Sequence, residues 1–426
     1  MHEKRTKIKI AILLLAILLI LSIVYLTLLS CGSRTGGGAS FNAIDLQVPN
    51  SSNGNPMVGF YSVFLDSQGN MNFYGSTDSR NSDPNLYFNR REGNKWIYDQ
   101  NAPVITFAVG STSTAMGSVL YDASTSFNGY EYVMYFTNQP RAPMSEYWAQ
   151  YGGSAPCIVE EPSDVGWGLL YVSFSHAPDS GWTAPCQFSI DGIHAIKVEQ
   201  VSAFIHNGTL YLTLLEGDFG VMNSNLNTLS YGYMVTASPN TPARGTRVGT
   251  EYFSMTGIAG FNPNTILTSP NATDNHPVLF NLDTAFDPNA SDFYLTRSYS
   301  YPFDVIGLVA GEVPCDGSSP HGMPTYPNRS QLYKMNVGNP PDFNLLYGGT
   351  WQLLADYGGS IGYSTSTNGG TCGPASLIRG QTDSGADIGT MSILRTEAGS
   401  LHSSKQLVAS YGSRSTRKPF LIREGF

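Results

Sequence analysis

Few familiar chemical motifs occur in these 426 residues, and most fail on their surroundings. "GGSIG" at 358–362 has the G-x-S-x-G spacing of a hydrolase nucleophile, which needs a strained strand-to-helix turn beneath the serine. "YSTSTNGG" follows Ser360 and cannot be that helix, so no nucleophile is expected there. There is no H-E-x-x-H, no C-x-x-C and no P-loop, and the seven histidines are scattered, so no metal site and no cofactor are expected. What remains is carboxylates among aromatics. Glu160, Glu161 and Asp164 in "VEEPSDVGWG" precede a strand, and Glu216 and Asp218 follow the aromatic run "TLYLTLL". Such groups exchange protons with a substrate, and loops are where sites are built. Trp148, Trp167, Trp182 and the 25 tyrosines offer flat faces to sugar rings, although in strands such residues serve chiefly as packing. Glu161, Trp167 and Glu216 are candidate substrate contacts. A net charge of −9, with no basic stripe after residue 9, excludes nucleic acid.

Cysteines and the N-terminus bear on location. "MHEKRTKIK" is basic, and the next 21 residues, 10–30, carry no charge. At about 1.5 Å rise per residue that run is long enough to cross a bilayer, and the basic flank keeps the N-terminus cytoplasmic. The sequence "LLSCG" resembles a bacterial lipobox, with Leu28 three residues before Cys31 and Ser30 just before it. Two expectations stand side by side: a lipoprotein signal peptide (1–31) lipidated at Cys31, or an uncleaved signal-anchor helix. Both place the body outside the cell or in the periplasm, tied to the membrane through a Gly-rich tether at 32–40. Cys157, Cys186, Cys315 and Cys372 form an even set suited to two disulfides, with the connectivity open.

Residues 41–426 read as one all-β domain. Charged residues make up only 13% of the chain, against about 25% in typical domains, and no amphipathic helix stands out after residue 40. Aromatic strands after polar turns recur: "GNMNFYGSTDS", "GYEYVMYFTNQ", "GTLYLTLLEGD", "SDFYLTRSYSY" and, more weakly, "GTMSILRTEAG". Strand–turn–strand phrases recur as well: "LYFNRREGNKWIYD", "LYVSFSHAPDSGWTAP" and "GYSTSTNGGTCGPA". Short antiparallel units repeated about five times predict a β-propeller of five blades, with six possible. The segment "ASFNAIDLQV" (39–48) is available to complete the last blade.

"VEQVSAFIHNGTLYLTLLEG" (198–217) resembles the third blade of the five-bladed glycoside hydrolases, the arabinanase, β-xylosidase and invertase group. In that group a Glu opens the inner strand at the central cavity, and a short apolar strand, an N-G-like turn and an aromatic strand follow. Glu199 and Asn207-Gly208 match this layout, and the resemblance implies that Glu199 is the general acid of a glycosidase. Asp122, in "GSVLYDASTS", stands near the group's third, orienting Asp and is the implied second catalytic carboxylate. The group's Asp-Pro at the start of blade one is Asn55-Pro56 here. An amide is neither base nor nucleophile, so Asn55 is a substrate contact in this reading and the usual pair is broken. The resemblance implies a tethered, exported propeller that hydrolyses glycans. The alternative is the same propeller holding glycans at the cell surface without cutting them.

Overall fold

The structure is a computed structural model. It describes residues 43–51, 54–55, 57–77, 85–97, 103–105, 114–124, 126–138, 169–194, 198–217, 230–249, 253, 278–300, 312–314, 328–356, 365–367, 387–412 and 418–422. The export segment, the tether, Cys31, Cys157, Glu161, Trp167, Cys315 and Cys372 lie outside these residues. Among the described residues the one helical element is a 3₁₀ turn, Phe343–Tyr347, and no helix is long and apolar enough to cross a membrane.

Five antiparallel sheets form a five-bladed propeller. From the axis outward, blade one is Met57–Leu65, Met71–Thr77, Leu86–Glu92 and Lys95–Ile97. Blade two is Thr114–Tyr121, Tyr132–Asn138, Leu169–Ser175 and Cys186–Gln187. Blade three is Val198–His206, Thr209–Gly217, Ser230–Ala237 and Arg244–Arg247, widened by Ser189–Ile190 and Ile193–His194. Blade four is Val278–Asp287, Asp292–Ser300, Asn328–Asn336 and Gln352–Asp356. Blade five is Asp387–Ile393, Leu407–Gly412 and Lys418–Ile422, and its outer strand is the first of the chain, Ala43–Asp45, paired with Lys418–Ile422. The N-terminal strand thus closes the ring.

Four of the five aromatic phrases are second strands of blades. The weak fifth, "GTMSILRTEAG", is instead the inner strand of blade five, and the second strand there is the less aromatic Leu407–Gly412. Of "GYSTSTNGGTCGPA", Thr365–Thr367 pairs with Glu312–Pro314 in a small ribbon outside the blades.

Each blade buries both faces, one against each neighbour, so its strands are apolar on both sides rather than alternating. Phe73 packs toward blade five and Tyr74 toward blade two. Leu214 packs toward blade two and Leu215 toward blade four. The five interfaces give five apolar clusters, and every one joins residues of two adjacent blades. Burial pushes the phenols of Tyr74 and Tyr135 up, so they stay neutral and donate to the Pro178 and Pro242 carbonyls, each at 2.8 Å. Trp182 is buried against Tyr74 and Tyr132, which makes it packing between blades. The Asn207-Gly208 turn has φ of 49° and 73°, as a two-residue hairpin turn requires.

The inner strands share a short signature that sequence reading missed: a hydroxyl residue, a small or branched aliphatic, then Phe or Leu. It reads Ser62-Val63-Phe64, Ser118-Val119-Leu120, Ser202-Ala203-Phe204, Thr284-Ala285-Phe286 and Ser392-Ile393-Leu394, all buried. An inner strand has a free edge at the axis, and its amides need partners. The hydroxyl of one blade supplies one to the next: Ser62 Oγ accepts from Val119 N at 3.0 Å, and Ser202 Oγ from Thr284 N at 3.1 Å. Gln200 Oε1 accepts from Leu282 N at 3.3 Å, two residues before the Ser202 pair, so neighbouring inner strands run the same way. Their N-terminal ends therefore share one rim of the ring.

At the opposite rim a single turn reaches all the other blades. Arg395–Thr396 adds to blade one beside Phe64 and Leu65. The carbonyls of Glu397 and Ala398 accept from Tyr121 N of blade two and Ile205 N of blade three, each at 2.9 Å. Leu401 N donates to Phe286 O of blade four, also at 2.9 Å. Gly399, at φ +81°, packs so closely that a Cβ would overlap Ala203 O, Leu120 and Phe204. Gly399→Ala combines a left-handed backbone with that overlap, and is expected to cost on the order of 2–4 kcal/mol. Urea unfolding of the protein measures it.

Candidate functional site

All five inner strands are bulged near their N-terminal ends. The register slips between Met57 and Tyr61, Met116 and Ser118, Val198 and Gln200, Leu279 and Asn281, and Ile388 and Met391. A bulge breaks the two-residue alternation and re-aims side chains, and bulges concentrate at rims and beside active sites. Five bulges at one level mark this rim as the candidate site. In blade three the extra residue is Glu199: Val198 pairs with Glu216 and Gln200 with Leu215, leaving Glu199 without a ladder partner. Glu216 stands directly across from Val198, so both sequence-predicted acids of blade three lie at this rim.

Asn55 is two residues ahead of the blade-one inner strand, on the same side. Its amide donates to Ser51 Oγ at 3.2 Å, and its carbonyl accepts from Ser51 N at 2.8 Å. Asp122 lies elsewhere. It follows the C-terminal end of the blade-two inner strand, which places it at the far rim with the Arg395–Leu401 turn rather than with Glu199. Its carboxylate accepts from Ser124 N (2.8 Å), Ser124 Oγ (2.6 Å) and Ser126 Oγ (2.6 Å), which makes it the organiser of a turn. Partial burial is the largest single influence on its pKa and raises it. The three hydrogen bonds together outweigh burial and hold the pKa below the usual carboxylate range. A strand's length thus separates Asp122, the expected orienting carboxylate, from Glu199, and residue-by-residue matching does not register which end of the strand a residue falls on. Cys186 is buried in the outer strand of blade two. Among the described residues no group of three or more His, Cys, Asp or Glu is placed to hold a metal.

Beneath the rim the axis is filled by a buried ion pair. Arg395 from blade five meets Asp283 of blade four, with both side chains almost fully buried. Arg395 also donates to Thr284 O (3.1 Å), Ser118 Oγ (3.2 Å) and Ser202 Oγ (3.3 Å). Asp283 accepts from Ser202 Oγ at 2.5 Å with one oxygen and from Ile393 N at 2.7 Å with the other. Burial pulls the Arg395 pKa down to about 9, which leaves it cationic at neutral pH.

No family model and no curated protein matches the chain. Solved structures do resemble it. The catalytic domain of the Coprinopsis cinerea GH62 α-L-arabinofuranosidase is 12% identical, with a TM-score of 0.47 over 90% of this chain and 96% of that one. The Podospora anserina α-L-arabinofuranosidase, solved with cellotriose, is 12% identical, with a TM-score of 0.46 over 90% and 95%. The GH43_1 enzyme of Xanthomonas citri, solved with xylotriose, is 12% identical, with a TM-score of 0.45 over 90% of each chain. The likeness is one of fold.

Two outcomes follow from this placement. Arg395→Met leaves Asp283 buried and unpaired and is expected to cost about 3–5 kcal/mol in urea unfolding, with part of it regained when Asp283→Leu is added. Asp122→Asn is expected to leave any activity of the N-terminal rim within about twofold. The carboxylate's stabilisation is present above the ordinary carboxylate pKa and fades as pH falls through its depressed value. The variant should therefore lose less than about 1 kcal/mol, seen at neutral pH and absent in acid.

Proposed function

We propose that the protein is an exported, membrane-tethered propeller that hydrolyses glycans at the N-terminal rim, with Glu199 as the general acid. The observation that carries this reading is the position of Glu199 as the extra residue of an inner-strand bulge, at the rim opposite the Arg395–Leu401 turn. A carboxyl there protonates the departing glycosidic oxygen if its surroundings keep it protonated near neutral pH. The aromatic-rich, acidic chain suits a neutral sugar polymer better than a phosphate-bearing one. Export supports the two disulfides expected of Cys157, Cys186, Cys315 and Cys372, and Cys31 is the lipid attachment point.

A second reading has its own observation. Asn55, two residues ahead of the blade-one inner strand, is an amide where the resembled group has its Asp, which favours a protein that holds glycans without cutting them. One assay separates the two. The protein is incubated with plant, microbial and host polysaccharides, and released reducing ends and retained sugar are measured together. Release that drops 10²–10⁴-fold in Glu199→Gln, with binding and Tm kept, is expected. Binding without release in the wild type means the second reading holds.

Location is tested separately. Feeding cells an alkyne-tagged fatty acid is expected to label the wild type and not Cys31→Ala. No label on either protein leaves the helical anchor.

A further inference from the structure

We propose that Asp387 is the second carboxylate of this site, the base that activates the attacking water. The proposal rests on the reading of Glu199 as the acid. Depth below the rim can be counted along the ladders from the shared hydroxyl residue of each inner strand. In blade three the partners run from Thr213, opposite Ser202, to Glu216, opposite Val198, so Glu199, the bulged residue between Gln200 and Val198, stands between the second and third rungs. In blade five they run from Val408, opposite Ser392, to Gly412, opposite Asp387, so Asp387 stands at the fourth. The two acids lie between one and two rungs apart in depth, roughly 3–7 Å. In the other blades the described inner-strand residues paired at the second to fourth rungs are Met57, Ala115 with Thr114, and Leu282, Asn281 and Leu279, none of them acidic.

Blades three and five are separated by blade four, so their inner strands face each other across part of the channel rather than side by side. Their separation is also fixed. The two oxygens of Asp283, in blade four, hold one strand each: Ser202 of blade three and Ile393 N of blade five. Asp283 is thus a positioning residue for the pair. A glycosidic bond held between them breaks with Glu199 giving its proton to the leaving oxygen. The water oxygen bonds to the anomeric carbon, and Asp387 takes the proton that this water loses. Proton exchange with solvent returns both carboxyls to their starting states. Asp387 thereby fills the role that Asn55 cannot.

The test uses the detergent-purified full chain, with Glu199→Gln, Asp387→Asn and Asp387→Ala, on the polysaccharide that the wild type cuts and on a panel of 4-nitrophenyl glycosides. On polysaccharide, both Glu199→Gln and Asp387→Asn are expected to lower kcat 10²–10⁴-fold. On the 4-nitrophenyl glycosides, whose leaving group needs no proton, Glu199→Gln should recover much of its rate and Asp387→Asn should not. Asp387→Asn should also lose the acid limb of the pH profile, and azide should revive Asp387→Ala with a glycosyl azide as product. If Glu199→Gln is dead on polysaccharide while Asp387→Asn stays within tenfold of wild type with its acid limb intact, this inference falls and the glycosidase reading survives. An Asp387→Ala that azide does not revive and that melts well below wild type marks a structural residue and overturns the proposal. A wild type that cleaves no member of either panel overturns both.

Discussion

Five strand edges meet at the axis of this ring, and apart from the short pairing of Arg395–Thr396 with blade one, no further strand is described there to pair their backbone amides and carbonyls. In water that would cost nothing, but here the axis is buried, and an unmet amide costs about 1–3 kcal/mol. The inner-strand hydroxyls answer part of this need, as Ser62 and Ser202 do for the blades that follow them. Asp283 and Arg395 answer more of it, and between them they touch blades two, three, four and five. Blade one is joined by the same segment through Phe64 and Leu65. The ring's geometry depends on this polar centre, because the five apolar clusters bind neighbours only pairwise.

Filling one end of the channel divides the labour of the inner strands. Their C-terminal halves are tied to the Arg395–Leu401 turn and carry the buried hydroxyl signature. Their N-terminal ends are bulged in every blade, and among the described residues Glu199 and Asp387 are the acids there. A bulge costs ladder regularity, and among the described residues no turn from another blade depends on that regularity at this rim. The tied ends and the bulged ends are opposite ends of the same five strands, and Asp283 joins blades three and five between them.

The sequence exposed the parts of the fold that local pattern controls. Second strands announced themselves because both of their faces are buried, which makes them continuous aromatic and aliphatic runs. The Asn207-Gly208 turn was legible for the same local reason. Inner strands were harder. Their signature is three residues long and recurs at uneven spacing, and a bulge interrupts the alternation just before it. That is why the inner strand of blade five was grouped with the second strands. Arg395 and Asp283 are 112 residues apart and show no sign of each other. Glu199 was singled out through a resemblance to one blade. Asp387 was not singled out, because its depth can be counted only once Gly412 is known to be its partner. The far-rim position of Asp122 was hidden by the same missing information, the direction in which its strand runs.

Closure by the first strand has a mechanical side. Ala43, Ile44 and Asp45 meet Ile422, Leu421 and Phe420 in three antiparallel pairs, and the next residue, Leu46, is buried and accepts from Trp96 Nε1 at 2.7 Å. Any tension arriving along the chain from residue 42 reaches the ring through those three pairs before anything else. Leu46 and Trp96 then stand behind them as a second catch, on a different blade. The seam between blades five and one is therefore where this ring would yield under a pull, and the catch decides whether it opens or only frays.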